Sequence, residues 1–162
     1  MNIPLREWLG LAGFIVICFA AAGIGGAFTG PAIGGWYALL KKPAFNPPNW
    51  IFGPVWTVLY LSMALAAWLI WKRQGFAGAM LPFTFFFIQL ALNCLWSIIF
   101  FGLHNPGLAC ADIILLWSAI AATLLLFYRI SPAAGGLLIP YLAWVSYAAL
   151  LNFALWRMNL EV

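Results

Sequence analysis

Charged residues divide this chain into long apolar stretches. Seven of its 162 residues are Lys or Arg and three are Asp or Glu. A helix needs roughly 20 apolar residues to cross a bilayer, so such stretches indicate membrane spans. The first one exceeds a single span, and Gly30-Pro31 is expected to end its helix. The stretches without a charged side chain are residues 8–40, 43–71, 74–111, 113–128 and 130–156.

This pattern predicts an all-α integral membrane protein, a five-transmembrane-helix bundle. Three of the four connections are short and contain Gly or Pro, so successive helices should be antiparallel neighbours. A longer loop, at about residues 29–49, follows the first helix. No second domain fits, and we expect residues 1–162 to form a single membrane domain. The predicted helices are at about residues 7–28, 50–72, 80–101, 107–129 and 134–157.

The amino-acid composition also indicates that the surface of the protein faces lipid. Hydrophobic residues make up 67% of the chain and charged residues 6%, whereas a soluble domain carries about 25% charged residues. The net charge of +4 comes from basic residues at predicted helix ends, where they anchor to headgroups, so nucleic acid is not an expected partner. Cys18, Cys94 and Cys110 lack metal-type spacing and are expected to be free and buried.

Polar residues inside the predicted spans mark faces that avoid lipid. One stripe lies on the third helix and another on the fifth, each with helical spacing. Two interpretations stay open for their amides: they tie helices together, or they contact a ligand. The stripes consist of Gln89, Asn93, Trp96 and Ser97, and of Tyr141, Trp144, Ala148 and Asn152.

Candidate catalytic groups are sparse. Asp112 is the one acidic residue in the interior of a predicted span. It either caps its helix or forms a hydrogen bond between helices, or it has a direct ligand or proton role. His104 is expected to be a solvated turn residue. With a single His and no carboxylate cluster, the sequence predicts no metal site built by the protein, and no hydrolase triad or phosphate-binding loop.

The tryptophans are more informative. Several of the ten lie near helix ends, where interfacial belts explain them. Trp56, Trp96 and Trp144 lie deeper, beside the polar stripes. Large flat rings next to a few amides describe a pocket for a flat, mostly apolar ligand. The alternative is that the rings pack only against one another, and the pattern does not decide between the two.

Three long motifs resemble the translocator protein family (TspO/MBR), also called tryptophan-rich sensory proteins or peripheral-type benzodiazepine receptors. They occur in the family's order and cover nearly the whole chain. The motifs are Trp36-Tyr37-x-x-Leu40-x-Lys42-Pro43-x-Phe45-x-Pro47-Pro48-x-Trp50-x-x-Gly53-Pro54-x-Trp56-x-x-Leu59-Tyr60, then Gln89-Leu90-Ala91-Leu92-Asn93-x-x-Trp96, and Pro140-Tyr141-Leu142-Ala143-Trp144-x-x-Tyr147-Ala148-x-x-Leu151-Asn152.

The resemblance implies a five-helix bundle, usually a homodimer, whose pocket between the helices is closed by the long first loop. It implies tetrapyrrole ligands such as protoporphyrin IX or haem, with no built-in cofactor, and sterols or benzodiazepine-type drugs as further ligands. It places the protein in a bacterial envelope membrane or the mitochondrial outer membrane. The implied ligand-binding positions are Trp36, Trp56, Tyr60, Asn93, Trp96, Ala111, Leu115, Trp144, Ala148 and Leu151.

Two features depart from the family pattern. The family's sterol motif has a tyrosine where this chain has Phe153, between Leu151 and Arg157, which argues against tight sterol binding. The dimer seam of some relatives lies on the third helix, which is bulky here. We therefore expect a dimer to use another face, such as Gly23, Gly26 and Ala27 on the first helix.

Three functions compete at this point. The first is a membrane receptor or sensor for tetrapyrroles, with Trp56 and Trp144 as aromatic walls and Asn93 as a hydrogen-bonding partner. The second is a transporter, although no inverted repeat is visible. The third is a light-dependent porphyrin-degrading enzyme. No general acid/base pair is visible, but the resemblance implicates Trp56 and Trp144 in such photo-oxidation.

Overall fold

Five helices of membrane-spanning length form the protein, in a computed structural model that describes residues 4–160. Each is long and apolar enough to cross a bilayer, where a helix satisfies its own backbone hydrogen bonds. The prediction of five spans is confirmed. The elements are α1 (Leu5–Gly34), α2 (Trp36–Leu39), a 3₁₀ turn (Asn49–Ile51), α3 (Phe52–Gly78), α4 (Met80–Ser97), a π-helical turn (Ile98–Gly102), α5 (Pro106–Ile130), α6 (Pro132–Gly136) and α7 (Ile139–Met158).

The predicted end of the first helix at Gly30-Pro31 is wrong. α1 continues to Gly34 with Pro31 inside its last turns. Near a helix end a proline removes only one hydrogen bond, and few residues remain to be displaced. A true break occurs at Gly75, where φ is 64° and ψ is −175°. That positive φ favours glycine because it has no Cβ.

The helices form a ring. α1 packs against α3 and α4, α4 packs against α5, and α5 packs against α7. α3 and α7 close the ring through aromatic side chains: the ring centroids of Trp56 and Tyr141 are 6.1 Å apart, and those of Phe52 and Trp144 are 6.0 Å apart. Aromatic side chains therefore fill the contact between α3 and α7.

Phenylalanines fill the half of the bundle where α1 begins. Phe14 stacks on Phe83 at 5.8 Å between ring centroids, and Phe86 stacks on Phe127 at 5.9 Å. All four are at most 4% exposed, and burying such rings is strongly favourable. The opposite half, where α1 ends, is called the lid end below, and it is not filled in this way.

Candidate functional site: a tryptophan-walled cavity

A cavity of about 580 Å³ occupies the lid end of the bundle. All five spans contribute to its lining, which is mostly apolar. Its volume falls within the roughly 300–1,000 Å³ of small-molecule sites. The candidate positions that line it are Trp56, Tyr60, Asn93, Trp96, Trp144, Ala148 and Leu151. That these seven bind a ligand stays a prediction.

Two indole rings line the cavity from neighbouring helices. Trp56 comes from α3 and packs against Tyr60 at 5.6 Å between ring centroids. Trp144 comes from α7 and packs against Tyr147 at the same distance. Within residues 4–160 neither indole N–H has a hydrogen-bond partner, and neither is fully enclosed by protein. Both N–H groups are therefore free donors next to the cavity.

A buried polar chain crosses the bundle beside these walls. The Tyr60 hydroxyl donates to Asn93 Oδ1 at 2.5 Å, and Asn93 Nδ2 donates to the Tyr141 hydroxyl at 3.1 Å. Tyr141 in turn donates to Gln89 Oε1 at 2.9 Å. The carboxamide of Asn93 is thus already engaged on both atoms, which leaves it one N–H and one lone pair for a ligand. This chain shows that the stripe's amides do tie helices together.

A second polar pair lies closer to the lid end. The Trp96 indole N–H donates to Asn152 Oδ1 at 2.9 Å, and Asn152 Nδ2 donates to the carbonyl of Pro106 at 2.8 Å. The same Nδ2 contacts Cys110 Sγ at 3.0 Å. Asn152 therefore joins α4, α5 and α7 with both polar atoms satisfied, and it offers the cavity a wall rather than a free amide.

α1 supplies the glycine side of the cavity. Gly23 and Gly26 line it, and a Cβ built on either would meet no atom within 4 Å. These residues are two of the three expected at a dimer seam. Both glycines are also exposed on the single chain, and the dimer seam expected there stays a prediction. Gly25 instead faces Ser97, whose Oγ would lie 3.0 Å from an added Cβ.

The long first connection closes the lid end. We define the lid as residues 36–48, from α2 to the 3₁₀ turn; it is shorter than predicted because α1 reaches Gly34. Tyr37 of the lid and Asn49 just after it line the cavity. Burial raises the pKa of the Tyr37 phenol, so its hydroxyl remains a donor, here to Asn46 Oδ1 at 2.8 Å.

Comparison with known proteins agrees with this architecture. A model of the TspO/MBR family matches residues 14–157. The chain belongs to the TspO/MBR family. It is 40% identical over 154 residues to the translocator protein of Homo sapiens, covering 94% of this chain and 91% of that protein. It is 42% identical over 151 residues to the tryptophan-rich protein TspO of Archaeoglobus fulgidus (93% and 97% covered) and 37% identical over 153 residues to the tryptophan-rich sensory protein of Cereibacter sphaeroides (94% and 93%).

As a TspO/MBR protein the chain is a multi-pass membrane protein. Three residues that the resemblance suggested for the pocket do not line the cavity. Ala111 and Leu115 are on the outward face of α5, where Leu115 is 59% exposed. Ile113 and Leu116 line the cavity in their place, one to two residues away along a helix that turns about 100° per residue. Trp36 stacks on His104 at 4.5 Å between ring centroids, which holds the start of the lid against the α4–α5 turn.

The family's sterol motif is split between two faces of α7. Leu151 is buried and lines the cavity, whereas Phe153 is 55% exposed and Arg157 is also exposed. Residues two apart on a helix point in nearly opposite directions. The three side chains therefore do not form one surface in this TspO/MBR protein. Together with the missing tyrosine, this arrangement argues against tight sterol binding at the motif.

The remaining candidates lie away from the cavity lining. Asp112 is 5% exposed, and its Oδ2 has no hydrogen-bond partner in the described part of the chain. The capping interpretation of Asp112 is wrong, because Asn105 caps α5 by accepting from the Leu108 N–H at 2.9 Å. Across residues 4–160 no group of three His, Cys, Asp or Glu side chains could hold a metal ion. The three cysteines are free, but the prediction that all are buried is wrong: Cys18 is buried, whereas Cys94 and Cys110 are partly buried.

The sequence interpretation missed the contribution of α1 and several phenylalanines. Phe19 and Ile33 of α1 line the cavity with its glycines, and Phe52 and Phe100 line it from α3 and the π-helical turn. These residues carry no polar mark, so no stripe pointed to them. The one available signal was the spacing of glycines at positions 23, 26 and 30. The sequence interpretation assigned the first two to a dimer face and the third to the end of the first helix.

Proposed function

We propose that this TspO/MBR protein is a membrane receptor that binds a planar tetrapyrrole, such as protoporphyrin IX or haem, in the cavity at its lid end. The observation that carries the proposal is the pair of indole walls, Trp56 on α3 and Trp144 on α7, which line one cavity of about 580 Å³. Flat aromatic surfaces favour a flat aromatic guest through offset stacking and apolar burial.

The polar atoms of the cavity support a ligand with acceptor groups. The amides of Asn93 and Asn152 are already engaged within the bundle. Donors without a partner among the described residues that line the cavity include the indole N–H groups of Trp56 and Trp144 and the hydroxyl of Ser97, which favour a ligand with acceptor oxygens or nitrogens. A tetrapyrrole with carboxylate side groups meets this requirement better than a sterol, which has a single hydroxyl and no flat aromatic face.

The lining also bears on the choice between free porphyrin and haem. Among the described residues, those that line the cavity include no His, Cys or Met, which are common axial ligands of haem iron. Tyr60 donates its hydroxyl to Asn93. We therefore expect shape and stacking to control recognition, so that protoporphyrin IX and haem bind with affinities within about tenfold of each other.

The test is a titration of the purified protein in lipid nanodiscs, followed by the absorption band of the porphyrin. The variant Trp56→Phe/Trp144→Phe should weaken protoporphyrin binding about fivefold or more, because an aromatic pair contributes roughly 0.5–1.5 kcal/mol beyond its buried area and phenylalanine has a smaller face and no N–H donor. Trp8→Phe is the matched control, since Trp8 is 53% exposed and does not line the cavity. Equal affinity in the double variant and the control would contradict the site.

Transport is a second candidate, favoured by the name translocator protein carried by the human relative. A carrier must let its ligand leave on both sides of the membrane, whereas here phenylalanines fill the half opposite the lid. Proteoliposomes loaded with porphyrin distinguish the two functions: a receptor gives no flux beyond that of protein-free liposomes. A protein-dependent flux that Trp56→Phe/Trp144→Phe abolishes would favour the carrier.

A further inference from the structure

The lid is fastened to the bundle by hydrogen bonds at few points. Aromatic packing holds its first residues, since Trp36 stacks on His104 and Tyr37 packs against Phe100. Leu40, directly after α2, is also buried against the bundle. Within residues 4–160, every hydrogen bond that joins the lid to a distant part of the chain runs to Tyr147 or Asn159. The remaining lid bonds are internal or run to adjacent residues.

Asn159 makes the more specific of the two connections. It lies just after α7, where its Oδ1 accepts from the Lys41 N–H at 2.9 Å and its Nδ2 donates to the Lys41 carbonyl at 3.0 Å. The same Nδ2 donates to the Leu155 carbonyl at 2.8 Å. One carboxamide thus satisfies both backbone groups of a lid residue 118 positions away. Asparagine suits this role because it presents a donor and an acceptor side by side, whereas aspartate presents only acceptors.

Tyr147 makes the second connection from the same helix. Its hydroxyl donates to the Phe45 carbonyl at 2.6 Å, and the two rings meet at 6.4 Å between centroids. Tyr147 does not line the cavity, but Trp144, one turn earlier, does. α7 therefore supplies one cavity wall and also holds the lid that closes the same cavity.

We propose that Asn159, supported by Tyr147, is a latch that keeps the lid closed and sets how fast a ligand enters and leaves the cavity. The inference rests on the proposed function, because it concerns passage of the same ligand. The latch residues do not touch the cavity, so releasing the lid raises the association and dissociation rates by similar factors. The equilibrium affinity then changes little, which separates a latch from a residue of the binding wall.

Lid opening can be measured without any ligand. Trypsin cleaves after lysine except before proline, so in the lid it can cut the Lys41–Lys42 bond and not the Lys42–Pro43 bond. Asn159→Ala removes both bonds to Lys41 and should speed this cleavage in nanodiscs roughly 5- to 100-fold, while Tyr147→Phe removes one bond and should speed it roughly 2- to 10-fold. Asn159→Asp keeps the size but loses the donor, and it should also accelerate cleavage. Met158 is next to Asn159 and has an exposed side chain. Met158→Ala should therefore be cleaved at the same rate as the unmodified protein.

Stopped-flow binding of protoporphyrin IX then tests whether the latch controls ligand entry and exit. In Asn159→Ala and Tyr147→Phe both rates should rise together, with the Kd within about twofold of that of Met158→Ala. Cleavage at Lys41–Lys42 that is no faster in Asn159→Ala than in Met158→Ala overturns the latch, whatever porphyrin does. If cleavage is faster but the association and dissociation rates of protoporphyrin IX are unchanged, lid opening does not control ligand passage, and that part of the proposal is overturned. Absence of porphyrin binding to the unmodified protein refutes the proposed function instead, and the proteolysis still reports on the latch.

Discussion

The hydroxyl of Tyr141 is the central joint of the buried polar chain, so Tyr141→Phe should destabilise the bundle. It accepts from Asn93 Nδ2 at 3.1 Å and donates to Gln89 Oε1 at 2.9 Å. Tyr141, Gln89 and Asn93 are 0%, 1% and 5% exposed. The substitution removes one oxygen and keeps the ring, so the contact with Trp56 at 6.1 Å between centroids persists. What changes is the pairing of two buried amides.

The size of the destabilisation depends on the hydrogen bonds that Asn93 and Gln89 retain. Hydrogen bonds between helices in membranes contribute about 0.6 kcal/mol each on average, so two lost bonds give a lower value of about 1.2 kcal/mol. A buried polar group left without a partner costs about 1–3 kcal/mol. Asn93 retains its bond from Tyr60, and Gln89 Nε2 retains a 3.7 Å contact with Met63 Sδ. We therefore expect a loss of about 1–3 kcal/mol in the free energy of unfolding.

Reversible unfolding in mixed micelles with increasing SDS measures this loss. Tyr128→Phe is the matched control, because Tyr128 is 53% exposed and its hydroxyl is not part of the polar chain. Adding Gln89→Leu to Tyr141→Phe should cost less than the sum of the single variants, since the second change removes a group that the first left unpaired. If Tyr141→Phe unfolds at the same SDS fraction as Tyr128→Phe, the chain does not stabilise the bundle and our reasoning is refuted.

Three further predictions follow from the placement of residues on α5 and in the cavity. Leu116→Trp should reduce protoporphyrin binding at least about tenfold by filling the cavity, whereas Leu115→Trp should not, because Leu115 faces outward; titration of both variants checks this. Asp112→Asn should leave the unfolding free energy unchanged to within about 0.5 kcal/mol, since Oδ2 has no partner to lose within the described chain; a larger loss would show that the carboxyl is needed. Under illumination in air, a receptor should lose porphyrin no faster than free porphyrin is lost. A product that forms only with protein and disappears in Trp56→Phe/Trp144→Phe would support light-driven oxidation.

The sequence predicted the spans and part of the interior because lipid penalises charged and polar groups. Charge-free stretches defined the five helices, and the stripe containing Gln89 and Asn93 identified an inward face, which both residues occupy. α5 shows the limit of this approach. Lipid and cavity both accept apolar side chains, so its pattern does not distinguish Leu115, which faces outward, from Leu116, which lines the cavity. The latch was equally hidden, because Asn159 is a single polar residue after the last span.

The two halves of the bundle are packed differently. Close packing of Phe14, Phe83, Phe86 and Phe127 makes the half opposite the lid a filled core, and filled cores resist deformation. A cavity of about 580 Å³ in the other half forgoes such contacts, and its lining is held by the polar chain and the Trp96–Asn152 pair instead. The polar chain crosses the bundle beside the indole walls, and the Trp96–Asn152 pair lies closer to the lid end. Directional hydrogen bonds fix side-chain positions without filling space. They can therefore keep the cavity open, whereas apolar side chains would gain by closing it.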